Sequence, residues 1–240
     1  MRSVVGASLS PQVDVGSHRT PEPRDGVAVF DLDRTLIPGS SLALFGRELV
    51  RRGMVRRTTV ARHAAHELGF RRQGLGAARL DSLVHRLLDA AAGEPAEPLR
   101  QVARSMGPEL AGQVPVAARW LLERHLGRGD FVVILSASPQ ELVEAITNEL
   151  GAHRAVGTRL EVDRDTLTGR LDGPFCYGQG KVECLERDVG PIDLSTATAY
   201  ADSGSDLPLL ERCGTAVAVN PDRELRRWAE RARWPMVHLG

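Results

Sequence analysis

The stretch "VAVFDLDRTLI", residues 27–37, decides how the rest of the chain is read. Val27 to Phe30 are continuously apolar, short and partly β-branched, which predicts a strand buried on both faces. The run then meets Asp31 and Asp33, with Thr35 next in phase. Successive side chains of an extended segment alternate, so these three share one direction wherever the extension persists. Two carboxylates placed so close raise each other's pKa unless a cation or hydrogen bonds compensate. A polar strand end leading into a helix cap accounts for the same letters. The remainder of the chain has to decide between them.

Beyond this stretch the chain is first helical. From about Ser40 to Met106, apolar residues recur at spacings of three and four with Arg and His between them, and no strand-like alternation occurs before Phe131. "WLLERHLGRGD" (120–130) reads as a helix ending near Gly127 or Gly129. The texture then changes. "FVVILSASP" (131–139) predicts a buried strand, leading into a helix with Ser138 as its cap, Pro139 in its first turn and Gly151 as its terminator. "AVGTRLEVDRDTLTGRL" (155–171) holds two strand-like runs around "DRD", as in a hairpin. Next come a helix at 180–190, a strand at 196–203, a helix at 206–214 and a strand at 216–220. A last helix, at 221–233, has Pro221 in its first turn.

Strands spaced by helices with short connections imply an α/β fold: a Rossmann-like, mainly parallel sheet with helices on both faces. The expected core comprises residues 26–38 and 116–240, with an all-helical cap at 39–115 inserted after the first strand. Residues 1–25 mix Ser, Pro, Gly and charge without periodicity and read as a mobile tail without the apolar core of a secretory signal.

Composition removes several classes of function. The 31 basic and 31 acidic residues cancel, which gives no reason to expect a nucleic-acid partner. No apolar run approaches the roughly 18 residues that span a bilayer, so membrane insertion is not expected either. Cys176, Cys184 and Cys213 are odd in number and form no C-x-x-C pair, which fits free thiols in a reducing cytoplasm rather than a zinc site or disulfide framework. Oligomeric state leaves no trace in the sequence. Of the 31 basic residues only Lys181 is a lysine. In a chain biased so strongly to arginine, a persisting lysine is either a chance survivor or marks a position that requires a compact ammonium.

In open α/β sheets, ligands collect beyond the carboxyl ends of the strands. There this chain has Asp31 and Asp33, then Ser136 and Ser138, then Asp202, Ser203 and Asp206, while Lys181 opens a helix. Ser138 and Ser203 could each be helix caps, and Asp206 an acid complementing a helix dipole. Together they bring carboxylates, a hydroxyl and an ammonium to one sheet edge, an inventory suited to phosphoryl transfer. Mg²⁺ prefers carboxylate oxygens. One carboxylate can attack phosphorus, and a second can protonate the leaving oxygen and then deprotonate water. Lysine and hydroxyl can hold the non-bridging oxygens.

The pattern resembles the haloacid dehalogenase superfamily of phosphohydrolases, specifically the phosphoserine-phosphatase-like branch (subfamily IB), across residues 27–220. "DLDRT" matches that family's D-x-D-x-T, "VVILSAS" its apolar run ending in Ser, Lys181 its lysine and "ADSGSD" its closing acidic motif. The resemblance implies Asp31 as nucleophile and metal ligand, and Asp33 as general acid/base with its backbone carbonyl on the metal. It implies Ser136, Lys181, Thr35 and the backbone N–H of Ala137 as contacts to the phosphoryl group. Asp202 would bind Mg²⁺, with Asp206 completing or orienting the shell. Asp33 together with Thr35 favours a phosphatase over a dehalogenase.

The expected activity is therefore Mg²⁺-dependent hydrolysis of a small phosphate monoester through an aspartyl-phosphate. Phosphoserine or histidinol-phosphate hydrolysis in amino-acid biosynthesis, transfer to an acceptor alcohol, hydrolysis of a lipid phosphate and non-catalytic phosphate binding are its rivals. The long span from Asp31 to Ser136 places the cap in the family's first insertion point (C1 type). Residues 36–115 carry 12 Arg against 7 acids, so a basic lid could steer an anionic substrate, and His63, His66 and His85 are candidate contacts within it. One departure bears on the substrate. Phosphoserine phosphatases place a glutamate about nine residues after the nucleophile to take the substrate's amine; this chain has Ser40 there, then Ser41, with Glu48 as a possible stand-in.

Overall fold

Val27–Asp31 (β1) is apolar up to its last residue because it lies in the middle of the sheet. The structure, a computed structural model, describes residues 26–54, 84, 88–89 and 91–239. The expected tail at 1–25, most of the expected cap, and His63, His66 and His85 lie outside the described residues. The sheet has six strands, in the order β3 (Arg154–Thr158), β2 (Phe131–Pro139), β1, β6 (Thr198–Ala201), β7 (Thr215–Val219) and β8 (Met236–Val237). Every pairing in it is parallel. A separate antiparallel hairpin joins β4 (Leu160–Asp163) to β5 (Thr166–Leu171).

The alternation of β1 explains its composition. Ala28 and Phe30 face one apolar layer with Ile134, Leu142, Ile146 and Leu122, whereas Val29 faces the other with Leu135, Val182, Leu185 and Leu209. The first layer is built by α1 (Ser41–Arg51), α2 (Ala96–Gly112), α3 (Val116–Gly127) and α4 (Gln140–Leu150). The second is built by α5 (Gln179–Val189), the single turn α6 (Leu207–Leu210) and α7 (Arg223–Ala232). A strand enclosed on both sides has no face left for polar residues until it emerges at Asp31.

Beneath the site the first layer carries one polar chain. Tyr200 stacks on Phe30 with ring centroids 4.4 Å apart, and its hydroxyl lies 2.8 Å from His125 Nε2, whose Nδ1 lies 2.6 Å from Asp130. These groups satisfy one another and pin the end of α3 under the residue preceding Asp31.

Helix α2 packs directly on α4. A Cβ added at Gly107 would lie 2.9 Å from the Ala145 carbonyl oxygen, whereas one added at Gly112 meets nothing within 4 Å. Alanine gains about 1 kcal/mol over glycine in a helix, but overpacking against backbone costs about 1–3 kcal/mol. Gly107→Ala should therefore lower the melting temperature and Gly112→Ala raise it, as thermal unfolding of the two variants would reveal.

Two local expectations need correction. Pro139, not Ser138, is the N-cap residue of α4, because the Ser138 hydroxyl is engaged by Ser41. Pro221 lies before α7, whose cap is Asp222 accepting from Leu225 N. The hairpin expected around "DRD" forms between β4 and β5, while the first run of 155–171 divides between β3, in the main sheet, and β4. β8 is two residues long, too short to carry a pattern. Gly151 does end α4, at a left-handed φ of 68°.

Candidate active site

The extension of β1 does not survive past Asp33. Arg34 takes a left-handed φ of 62°, and Leu36 N and Ile37 N both donate to Leu32 O, folding the chain into a tight loop. Asn220 Nδ2 donates to Arg34 O at 3.3 Å and holds that loop against the end of β7. Thr35 therefore drops out of the direction that alternation would have given it with Asp31 and Asp33. Asp31 and Thr35 are buried, while half-buried Asp33 reaches Ser41.

Three strand or loop ends then converge. Asp31, Asp202 and Asp206 are buried and bring carboxylate oxygens within 4.8 Å of one another. Lys181, in the first turn of α5, places Nζ 2.6 Å from Asp31 Oδ1 and 2.6 Å from Asp206 Oδ1. Burial opposes the lysine's charge, but Asp206 and Asp31 outweigh it and hold its pKa above the ordinary value. Burial and the Asp31 charge push Asp202 up to about 8, against the pull of Arg34, whose Nε sits 2.8 Å away. Asp206 is pushed up to about 6 by burial, with Lys181 limiting the rise. One buried ammonium thus falls short of neutralising three carboxylates. A hard divalent cation on this all-oxygen donor set would supply the missing charge, so the residues fit Mg²⁺.

The loop carrying Asp202 and Asp206 is fixed from α7. Asp222 Oδ2 accepts from Ser203 Oγ at 2.9 Å and from Gly204 N at 3.1 Å, while Asp222 N donates to Asp202 O at 2.8 Å. Ser203 caps the short helical turn Gly204–Asp206, as its sequence suggested.

Asp33 lies beside this cluster. Burial pushes its carboxyl up to about 6, while the Ser41 side-chain hydrogen bond lowers it and the Asp31 charge raises it. Ser136 is buried at the end of β2, its Oγ accepting from Ser138 N at 3.1 Å. Ala137 is the one half-buried position of that strand, with its carbonyl held by Thr158 Oγ1 at 2.8 Å. Thr35 Oγ1 is buried and has no hydrogen-bond partner among the described residues. An orphaned buried hydroxyl of this kind awaits an acceptor or donor.

Sequence reasoning overlooked Ser41 as a partner of Asp33, Arg34 as a partner of Asp202, and the two braces Asn220 and Asp222. Only Asp222 had a readable signal, as an acid directly before a helical run. Glu48, the stand-in for an amine-binding glutamate, is spent on Arg51 and Arg52, and the Ser40 hydroxyl accepts from Ala43 N as the cap of α1.

The haloacid dehalogenase-like hydrolase family model matches residues 28–211. A phosphoserine phosphatase of Mycobacterium tuberculosis is 34% identical over 235 residues, covering 94% of this chain and 75% of that protein. A histidinol-phosphatase of Neisseria meningitidis is 28% identical over 220 residues, covering 89% of this chain and 98% of its own. Among solved structures, a substrate-bound phosphoserine phosphatase superposes with a TM-score of 0.64 at 19% identity, over 90% of this chain and 94% of that one. The two share a fold.

Proposed function

We propose that this chain, which belongs to the haloacid dehalogenase-like hydrolase family, hydrolyses a small phosphate monoester with Mg²⁺ through an aspartyl-phosphate on Asp31. The observation that carries the reading is the buried carboxylate trio sharing one ammonium, with a further carboxyl, Asp33, directly beside it. Asp202, Asp206 and Asp31 would hold the cation, together with the Asp33 backbone carbonyl. When bound it supplies positive charge to the phosphoryl oxygens and keeps the carboxylates ionised.

The chain's own groups do the rest. Asp31 attacks phosphorus as the bond to the alcohol oxygen breaks. Asp33 gives its proton to that departing oxygen and then takes one from the water that attacks the aspartyl-phosphate, so each turnover restores it. Lys181, Ser136, Thr35 and the Ala137 N–H hold the non-bridging oxygens. The Thr35 hydroxyl finds its missing partner there.

We assign substrate choice to the segment 39–115, the proposed helical lid, with 26–38 and 116–240 as the catalytic core. Within that segment helix α2 packs on α4, in the layer that supports the sheet. Phosphoserine and histidinol phosphate both carry an ammonium, and neither Ser40 nor Glu48 is free to receive one. Phosphate esters without an amine therefore head the panel of candidates. Among the described residues no helix is long and apolar enough to cross a membrane.

The test is phosphate release from some tens of metabolite phosphates, including phosphoserine, histidinol phosphate, sugar, cyclitol and glycerol phosphates and lysophospholipids. Each is assayed with Mg²⁺ and with chelator. Release from one compound class is expected, lost in chelator and restored by Mg²⁺. No release from any compound by folded, metal-loaded protein would replace the enzyme reading with a phosphate-binding one. The same titration followed by thermal unfolding should show Mg²⁺ raising the melting temperature, since a cation that binds only the folded state stabilises it.

A further inference from the structure

Helix α1 begins where the chain leaves the catalytic loop, and its first residue remains bonded to that loop. Ser41 is wholly buried; its backbone N donates to Asp33 Oδ1 at 2.9 Å, and its Oγ lies 2.6 Å from the same oxygen. Ser41 Oγ also lies 2.6 Å from Ser138 Oγ at the end of β2. An ionised carboxylate only accepts, which fixes the order of the hydrogens. Ser138 O–H donates to Ser41, and Ser41 O–H donates to Asp33. Oδ1 thus receives two donors, while Oδ2 takes no hydrogen bond among the described residues.

We propose that Ser41 is a positioning residue for the acid/base: by filling Oδ1 with two donors it reserves Asp33 Oδ2 as the oxygen that carries the transferable proton. The inference rests on Asp33 being the general acid/base. A proton on Oδ1 would confront the fixed Ser41 backbone N–H and would require both serine hydroxyls to reverse, whereas Oδ2 faces no donor among the described residues, so the geometry favours the acid form protonated on Oδ2. As the P–O bond to the alcohol breaks, the Oδ2 proton passes to the departing oxygen. The charge left on the carboxylate is then met by the two Ser41 donors. In the second half, water gives its proton to Oδ2 while its oxygen joins phosphorus and the Asp31 carboxylate leaves. Ser138 orients the Ser41 hydroxyl from the core side. The acid is therefore set by the element that leads into the proposed lid as well as by its own loop.

The experiment compares kcat/KM, which reports steps up to departure of the alcohol, for p-nitrophenyl phosphate and for an alkyl phosphate such as glycerol 2-phosphate. The aryl leaving group needs little protonation and the alkyl one needs it fully. For Ser41→Ala the loss should be at least ~10-fold greater with the alkyl ester, within the range of a general acid's contribution. Ser41→Thr, which keeps the hydroxyl, should recover part of it. Equal losses with both esters, or none, would overturn the proposal. Asp33→Asn separates the two readings. If it discriminates between the esters and Ser41→Ala does not, only the positioning role fails; if it does not discriminate, Asp33 is not the acid.

Discussion

Asp31→Asn should lower turnover by at least ~10⁴-fold, the scale on which loss of an enzymic nucleophile is felt, without unfolding the protein. Asparagine keeps the shape of the side chain but cannot form the acyl phosphate. The sign of the stability change is set by the charges. Asp31, Asp202 and Asp206 crowd within 4.8 Å around one ammonium, and the Asp31 charge is among the forces that push Asp202 up to about 8. Removing that charge relieves repulsion, while Lys181 keeps its contact with Asp206 at 2.6 Å. In chelator the variant should therefore melt no lower than the wild type, and Mg²⁺ should raise its melting temperature less, since one of the proposed ligands is weakened. Phosphate release near the wild-type rate would remove Asp31 as nucleophile. Loss of activity accompanied by unfolding would mean that the residue is needed for the fold instead.

Alternation and chain punctuation were enough to read the sheet because its strands are enclosed on both sides and its helices begin and end on recognisable residues. The run Val27–Phe30 could only be central, and Gly151 could only end a helix. Failures cluster where a side chain is claimed by a distant partner. Ser138 has the right letter and place for a cap, yet its hydroxyl lies against Ser41 across 97 positions of sequence. Local pattern cannot see such a contact. The same holds for Arg34, whose left-handed backbone breaks the extension that would have aligned Thr35 with Asp31 and Asp33. A non-glycine residue there costs on the order of 1 kcal/mol, and the Asn220 brace and the Asp202 ion pair are what hold it.

The candidate site was legible for a different reason. Its residues stand at the carboxyl ends of parallel strands, where topology concentrates ligand contacts whatever the intervening sequence. Asp31, Lys181, Asp202 and Asp206 converge as their order along the chain suggested, although the first two lie 150 positions apart. What holds them was not legible. Asp222 fixes the loop of Asp202 through two hydrogen bonds and a backbone contact, and Ser41 fixes Asp33, yet both look in sequence like ordinary helix-start residues. Supporting residues share their composition with caps because they do the same thing, offering an oxygen or an N–H to a neighbouring backbone or carboxylate.

Lys181 is where composition, burial and chemistry make one argument, and its replacement should have the second largest effect. Two different substitutions separate charge from shape. Lys181→Met removes the ammonium and leaves Asp31 and Asp206 facing each other in a site where both are at most 5% exposed. Breaking a buried ion pair from one side costs about 3–5 kcal/mol, so this variant should unfold at markedly lower temperature in chelator and recover part of the loss when Mg²⁺ is added. Lys181→Arg keeps the charge but replaces a compact group, which contacts two carboxylate oxygens at 2.6 Å, with a wide planar one in a slot 3% exposed. Its melting temperature should fall much less than that of the methionine variant, whereas kcat should fall at least ~10²-fold, the scale of losing one preorganised donor to a developing charge. Since 30 of the 31 basic residues are already arginine, the chain tolerates that side chain almost everywhere. An arginine at 181 that left kcat unaltered would make the single lysine an accident of composition and withdraw it from the phosphoryl contacts. A collapse in kcat with the fold intact would identify the geometry of the ammonium, and not its charge alone, as what the position selects.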